Sequence, residues 1–313
     1  MNLLSSLRYL VALHEHKHFG RAAQSCHITQ PALSNALRAL ETEFGTVIVR
    51  RGRTFEGFTP EGMHVLASAQ RMLQERETLQ QELNSGIGKP QGTLTIGAVP
   101  TAVPIAARFS AQLQARYPGI TSTVRSMSSN QLETGLENLS LDIGLGYTDR
   151  LRVNGPPLLQ IPQYTEYYFF VRRATIIGIE LTIGQPTSWA EAAAQPLCLL
   201  TREMHNRSIV EQAFKTAGVT SRPAIETNSI LALALSVIEG TVCTVMPGAL
   251  LAAVRGYREL EALPLVAPEV RTVIGMMLQG TDRPSRTLEA ALSLAKDPAW
   301  LRHAAAHSGL LCA

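Results

Sequence analysis

Residues 19–41 read FGRAAQSCHITQPALSNALRALE, and this stretch decides the fold of the N-terminal part. Thr29 stands where a helix cap is needed, and Pro31 falls in the first turn, where its missing N–H costs nothing, so a helix is expected to open at Thr29-Gln30-Pro31. Leu33, Ala36, Leu37 and Leu40 then share one helical face, and Gln30, Ser34, Asn35 and Arg38 share the other. Just upstream, the small pair Ala22-Ala23 centres a short helix from about Gly20 to Cys26, and Leu3, Leu7, Leu10 and Val11 mark an earlier amphipathic one. Small residues let one helix pack closely beneath the next, whose polar face is then free to enter the major groove, as a helix-turn-helix requires.

Working outward from that stretch, residues 47–49 read as a short strand, and Arg50-Arg51-Gly52-Arg53 concentrates positive charge at a glycine turn. Residues 55–59 return to Thr59-Pro60, a second helix start. That pattern is a wing, and its arginines stand where a wing meets phosphate or the minor groove. Residues 1–60 hold seven Lys/Arg against four Glu, a net +3 that equals the charge of the whole chain. From Thr59 a single helix is expected to about Ser85, with Val65, Ala69, Met72, Arg76, Leu79 and Leu83 in a four-three alternation. A seam of that kind, polar elsewhere, calls for a partner helix, most simply the same helix of a second subunit. Residues 84–92, NSGIGKPQG, then read as a hinge.

Beyond Gly92 the period changes. Strands are expected at 93–98, 120–125, 141–147, 167–171, 196–200, 224–226, 241–246 and 272–278. Between them, helices are expected at 101–116, 129–139, 205–217, 229–238 and 285–294. Two similar cycles and a returning tail give an α/β domain of two Rossmann-like lobes joined by crossover strands, similar to a periplasmic binding protein. Ligands bind such sheets beyond the carboxyl ends of the strands, where helix N-termini present free N–H groups. Thr101, Ser129, Thr201 and Thr227 stand at those ends, with His205 and Asn206 close by. Each hydroxyl alone is explained by helix capping, but four at equivalent ends of two lobes make a candidate effector site, suited to a small anion.

The stretch 19–41, followed by Phe44-Gly45, Arg51 and the run Phe58-Thr59-Pro60-Glu61-Gly62, resembles the signature of the LysR family of bacterial transcription regulators. It departs from that signature at His18, Asn35, Val49 and Thr54. The resemblance implies a DNA-binding domain at residues 1–59, a dimerisation helix at 60–88 and an effector-binding domain at 89–313. Within that last domain, lobe I takes about 91–162 and 270–313, and lobe II about 163–269. It implies that Gln30, Pro31, Ser34 and Arg38 face operator DNA, with Arg51 and Arg53 on the wing, and it supports Thr101, Ser129 and Thr201 as inducer contacts. A homotetramer and contact with RNA polymerase are expected from the resemblance alone. One branch of the family senses peroxide through two cysteines in the helix beginning near His205. Here Asn206 and Lys215 hold those positions, so a thiol switch is not expected.

Composition bounds the alternatives. A chain of 313 residues with 45% hydrophobic and 17% charged residues is globular and too long for one ordinary core. A net +3 is too small for binding DNA by charge alone. The opening MNLLSSLRYL lacks the n-region and cleavage site of a signal peptide, and no apolar run approaches a membrane span, which together favour a cytoplasmic protein over an exported solute-binding one. Cys26, Cys198, Cys243 and Cys312 show no paired spacing, as suits reduced thiols. His14, His16 and His18 lack the carboxylates or thiols that would complete a metal site. No nucleophile elbow, phosphate loop, HExxH or catalytic carboxylate pair is present, so neither enzyme chemistry nor a cofactor is expected.

Overall fold

A computed structural model describes residues 2–52, 54–84, 90–150, 158–280 and 283–308. The chain forms two compact units, one built on the first four helices and the wing and the other holding nearly all of the chain from residue 90 onward.

In the first unit, α1 (Leu3–His16), α2 (Phe19–Ser25) and α3 (Gln30–Phe44) close around Leu7, Leu10, Leu13, Leu33, Leu37 and Leu40, none more than 1% exposed. Burying side chains of this kind contributes roughly 1.5–3 kcal/mol each. Each helix start has a named cause. Asn2 caps α1, and Thr29 caps α3 by accepting from the Ala32 N–H. His18 caps α2: its Nδ1 accepts from the Gly20 and Arg21 amides, so an imidazole does there what a hydroxyl does at other caps. Gly45 ends α3 at φ 63°, in the left-handed region that favours glycine. The antiparallel pair β1 (Val49–Arg51) and β2 (Phe55–Phe58) makes the wing, two residues later than the sequence pattern places its first strand. The helix α4 (Pro60–Asn84) begins against it so tightly that a Cβ on Gly62 would lie 2.1 Å from the Ile48 carbonyl oxygen.

The expected seam of α4 is divided. Ala69 is fully buried, and Val65 packs with it into this unit's own core. Met72, Leu79 and Leu83 remain 48%, 54% and 77% exposed. The alternation therefore serves two purposes: its first half closes the helix-turn-helix core and its second half faces outward.

The second unit holds two sheets that share a strand. The first is built on β3 (Gly92–Ala98), flanked in parallel by β4 (Ile120–Ser126) and β5 (Ile143–Tyr147). Its helices are α5 (Val103–Arg116), preceded by a 3-10 turn at Pro100–Ala102, and α6 (Ser129–Glu137). Next comes β6 (Leu158–Arg173), a 16-residue strand where the sequence pattern gives only residues 167–171. After β6 the second lobe follows with β7 (Thr182–Ile183), β8 (Thr187–Ser188), α7 (Trp189–Ala193), β9 (Leu197–Leu200), α8 (His205–Thr216) and β10 (Pro223–Thr227). It is completed by α9 (Ile230–Glu239), β11 (Cys243–Pro247), α10 (Gly248–Val254) and β12 (Leu260–Val266). The chain returns through β13 (Arg271–Gln279) and ends in α11 (Arg286–Ala295) and α12 (Pro298–Ala306). Strands run in the order β10-β9-β11-β6-β13-β5-β3-β4. The first part of β6 pairs with β13, from Leu158 to Tyr167, and the second part pairs with β11 and β12, from Tyr168 onward. The two-lobed α/β architecture expected from the sequence is therefore the one found, with β6 and β13 as its crossovers.

Candidate functional site

The outer face of α3 carries Gln30, Pro31, Asn35 and Arg38, all exposed, with Ser34 half-buried beside them. Among the described residues, no hydrogen bond or ion pair engages the side chains of Gln30, Asn35 or Arg38. Arg51 is different. Its guanidinium donates to Glu41 Oε2 at 2.6 Å, while Glu41 Oε1 accepts from the Ile48 and Val49 amides at 2.9 and 3.0 Å. Burial works against the charge of Glu41, but these N–H groups and the guanidinium outweigh it and hold the carboxyl below the usual carboxylate range. Arg51 thus fastens the wing to α3, which the sequence does not disclose, and Arg50 beside it is exposed and without an ion pair among the described residues. Arg53 and residues 85–89 of the expected hinge lie outside the described residues. His14 accepts from the Lys17 ammonium at 3.0 Å and lies against Phe58, while His18 is spent on its cap. No group of three metal-ligating side chains occurs among the described residues.

In the second unit a cavity of about 210 Å³, counted to its open mouth, lies where the lobes meet. Thr101, Ser128, Ser129 and Tyr147 line it from the first lobe, and Met204, His205 and Asn206 from the second. Thr101 and Tyr147 share a hydrogen bond at 3.1 Å, and the Asn206 amide donates to Tyr147 at 3.3 Å and to Tyr168 at 3.5 Å. Tyr168 in turn meets Thr272 at 3.3 Å. The Thr101–Tyr147 pair has two hydroxyl hydrogens and one shared bond, so one hydrogen is left to donate. Ser129 does not cap α6, because Ser128 does: it accepts from the Gln131 amide, whose side chain accepts from the Ser128 N–H. That leaves the Ser129 hydroxyl buried and without a partner among the described residues. At the start of α8 no side chain caps the helix. Arg207, 2% exposed, donates to the Leu200 carbonyl and to Glu226 and so fixes His205 and Asn206 in place. The His205 ring stands edge-on to Tyr147 at 4.9 Å, and burial, then the nearby Arg150, push its pKa down, leaving a neutral imidazole.

Of the six effector positions read from the sequence, Thr101, Ser129, His205 and Asn206 come together on this cavity, and Thr201 and Thr227 do not. Thr201 donates its hydroxyl to Glu203 at 2.7 Å, and Thr227 accepts from the Ser229 amide at 3.1 Å. Both hold turns, the ordinary work of such residues at strand ends. The sequence pattern does not single out Tyr147, Tyr168 or Glu166. Glu166 is fully buried on β6, facing the same polar cluster. Cys198 and Cys243 lie on neighbouring strands, but the register pairs Thr244 with Cys198 and Cys243 with Leu197, which points the two thiols to opposite faces of the sheet. They cannot bridge without the strands coming apart. Burial also pushes both thiols up, away from the reactive thiolate.

A winged helix-turn-helix joined to a two-lobed binding domain defines a DNA-binding transcriptional regulator. Residues 4–63 match the bacterial regulatory helix-turn-helix protein of the lysR family, and residues 88–299 match the LysR substrate binding domain. The chain belongs to the LysR family. It is similar to the DNA-binding transcriptional dual regulator OxyR of Escherichia coli K12, 27% identical over 283 residues that cover 88% of each chain. Among solved structures, a full-length OxyR variant from Pseudomonas aeruginosa superposes with a TM-score of 0.68 at 22% identity, covering 94% of this chain and 97% of that one. Full-length CbnR in complex with its target DNA superposes at 0.64, with 20% identity, 96% of this chain and 99% of that one. No helix among the described residues is long and apolar enough to cross a membrane.

Proposed function

We propose that the chain switches transcription in the cytoplasm by reading operator DNA with α3 and its wing and by binding a small, oxygen-bearing inducer in the cavity between the lobes. The observation that carries the inducer reading is the set of unfilled donors there: the Ser129 hydroxyl, the spare hydrogen of the Thr101–Tyr147 pair and the uncapped start of α8. Donors without acceptors suit a small organic acid, and the narrow space favours one of a few heavy atoms. Inert, separated thiols argue against sensing by cysteine oxidation, although relatives are described as hydrogen peroxide-inducible genes activators.

On the DNA side, Gln30, Pro31, Ser34, Asn35 and Arg38 are the base-facing set, with Arg51 and Arg53 on the wing, and the DNA complex of CbnR supports such docking. The exposed Met72, Leu79 and Leu83 give α4 a contact for a second copy, and two dimers would make the tetramer expected of the family. RNA polymerase is the further partner. The inducer shifts the lobes only as far as it prefers one arrangement over another. The test is calorimetric titration of small acids into wild-type and Thr101→Val protein, beside a gel shift of each. Thr101→Val should weaken inducer binding about tenfold, the equivalent of roughly 1.4 kcal/mol, and leave inducer-free operator binding intact. Equal inducer affinities remove Thr101 from the site.

A further inference from the structure

Glu166 sits on the face of β6 that it shares with Tyr164 and Tyr168, directly opposite Thr272 of β13. Tyr147, which walls the cavity, lies one strand further, paired through Ile274. The carboxyl is wholly buried and neither oxygen has a hydrogen-bond partner of ordinary geometry, the Tyr164 hydroxyl offsetting only part of that burial. No cation among the described residues compensates it. The titratable groups around it are the hydroxyls of Tyr147, Tyr164 and Tyr168. Of the helices that pack on β6, α10 has no ionisable residue, α9 has Glu239 at its last position and α12 has Arg302 and His303, and none of these three acts on Glu166. From α8 come Asn206 and the neutral His205, and Arg271, next to Thr272, is spent on Glu269 and the ring of Tyr167. Burial therefore raises the carboxyl to about 8, and it carries a proton at neutral pH.

We propose that Glu166 selects the charge of the effector: an oxygen-bearing anion occupies the cavity beside Tyr147 only while the Glu166 carboxyl is protonated, and ionising it expels the anion. The proposal rests on the cavity being the effector site. The cavity wall offers hydroxyls, an amide and a neutral imidazole but no formal positive charge, so nothing there would offset a second negative charge held behind Tyr147. Asp149 and Arg150, the charged pair near His205, do not line the cavity, and Arg150 donates to Asn130. In an interior this dry, two anions separated by one tyrosine repel strongly. A protonated Glu166 removes the repulsion. By linkage, anion binding must then draw a proton onto Glu166 wherever the empty protein has begun to lose it, and affinity must fall as pH passes upward through the Glu166 pKa.

The probes are formate and its neutral isostere formamide, titrated calorimetrically into full-length wild-type and Glu166→Gln protein at about pH 7 and about pH 9. Formate should bind wild type about tenfold more weakly at the higher pH, formamide should be unaffected, and Glu166→Gln should hold formate equally at both. A wild-type formate affinity that ignores pH overturns the proposal and leaves the cavity as a binding site. So does a pH loss that survives in Glu166→Gln, since another group would then be titrating. If neither probe binds wild type at either pH, the effector site itself is misplaced and the proposal falls with it. Should Glu166→Gln fail to fold, proton uptake by wild type decides: formate added at about pH 8.5 in weak buffer should take up a fraction of a proton per site, and no uptake overturns the proposal.

Discussion

On the outer face of α3, Gln30, Asn35 and Arg38 point outward and meet nothing among the described residues, so their donors stay free for something outside the chain. Around the cavity between the lobes the polar side chains are buried and mostly satisfy one another, through Thr101, Tyr147, Asn206, Tyr168 and Thr272. The difference teaches what each surface can tolerate. An exposed donor is hydrated until DNA arrives, so changing it alters recognition and little else. A buried donor belongs to a network, so changing it also disturbs the partners it holds.

The largest expected effect breaks that contrast from the buried side. The Glu166 carboxyl is raised to about 8 from an ordinary value of 4.5, so the folded protein keeps a proton that the unfolded chain loses. Its contribution to stability is therefore complete below about pH 4.5 and declines by about 1.4 kcal/mol per pH unit until about pH 8. Glu166→Gln should flatten that part of the stability profile in denaturant melts, and parallel profiles would show that Glu166 is ionised in the folded protein. Next is the outward half of α4. Glu at both Met72 and Leu79 places charge in the contact proposed for a second copy and should dissociate dimers, at a cost of several kcal/mol read by light scattering. The melting temperature of the helix-turn-helix should hardly move, because its own core uses Ala69 and Leu66 instead.

On α3 itself, Ser34→Ala with Arg38→Ala should remove preference for operator over random DNA, about 1–3 kcal/mol for each base that is no longer read, without lowering the melting temperature. A drop in melting temperature would mean that these side chains are not free. The smallest effect sharpens the comparison at its border, in Arg51. If that guanidinium stays on Glu41 in the complex, Arg51→Ala leaves the salt slope of DNA binding unchanged but loosens the wing; if it reaches phosphate, the slope falls by about one.

Much of the first unit is legible in the sequence because its helices are amphipathic and its caps are local. Thr29, Pro31 and Gly45 act within a turn of where they stand. The second unit hides more. The helix α10, GALLAAV, is apolar throughout and buried on nearly every side, so no period betrays it, and β12 contains Pro264 and Glu261. The first half of β6 does not read as a strand because Pro162 interrupts it, yet that proline sits where the register with β13 shifts, a place where its missing N–H is tolerated. By sequence alone Glu166 marks only the start of a cycle. The available signal is its place in the alternation Tyr164, Glu166, Tyr168, Phe170, which lines a carboxyl up with three rings on one face. Thr201 and Thr227 mislead for the opposite reason, since a hydroxyl at a strand end looks alike whether it holds a turn or a ligand.

The long strand β6 has a mechanical consequence. Its pairing with β13 runs to Tyr167 and its pairing with β11 starts at Tyr168, so no unpaired residue separates the two sheets. A joint without slack cannot slide. It can only twist, and the twist is centred at Tyr167 and Tyr168, beside the polar cluster that backs the cavity. The lobes then behave as two arms on one pivot: a fraction of an ångström at the cavity becomes a larger displacement at the outermost strands, β4 and β10, in proportion to their distance from it.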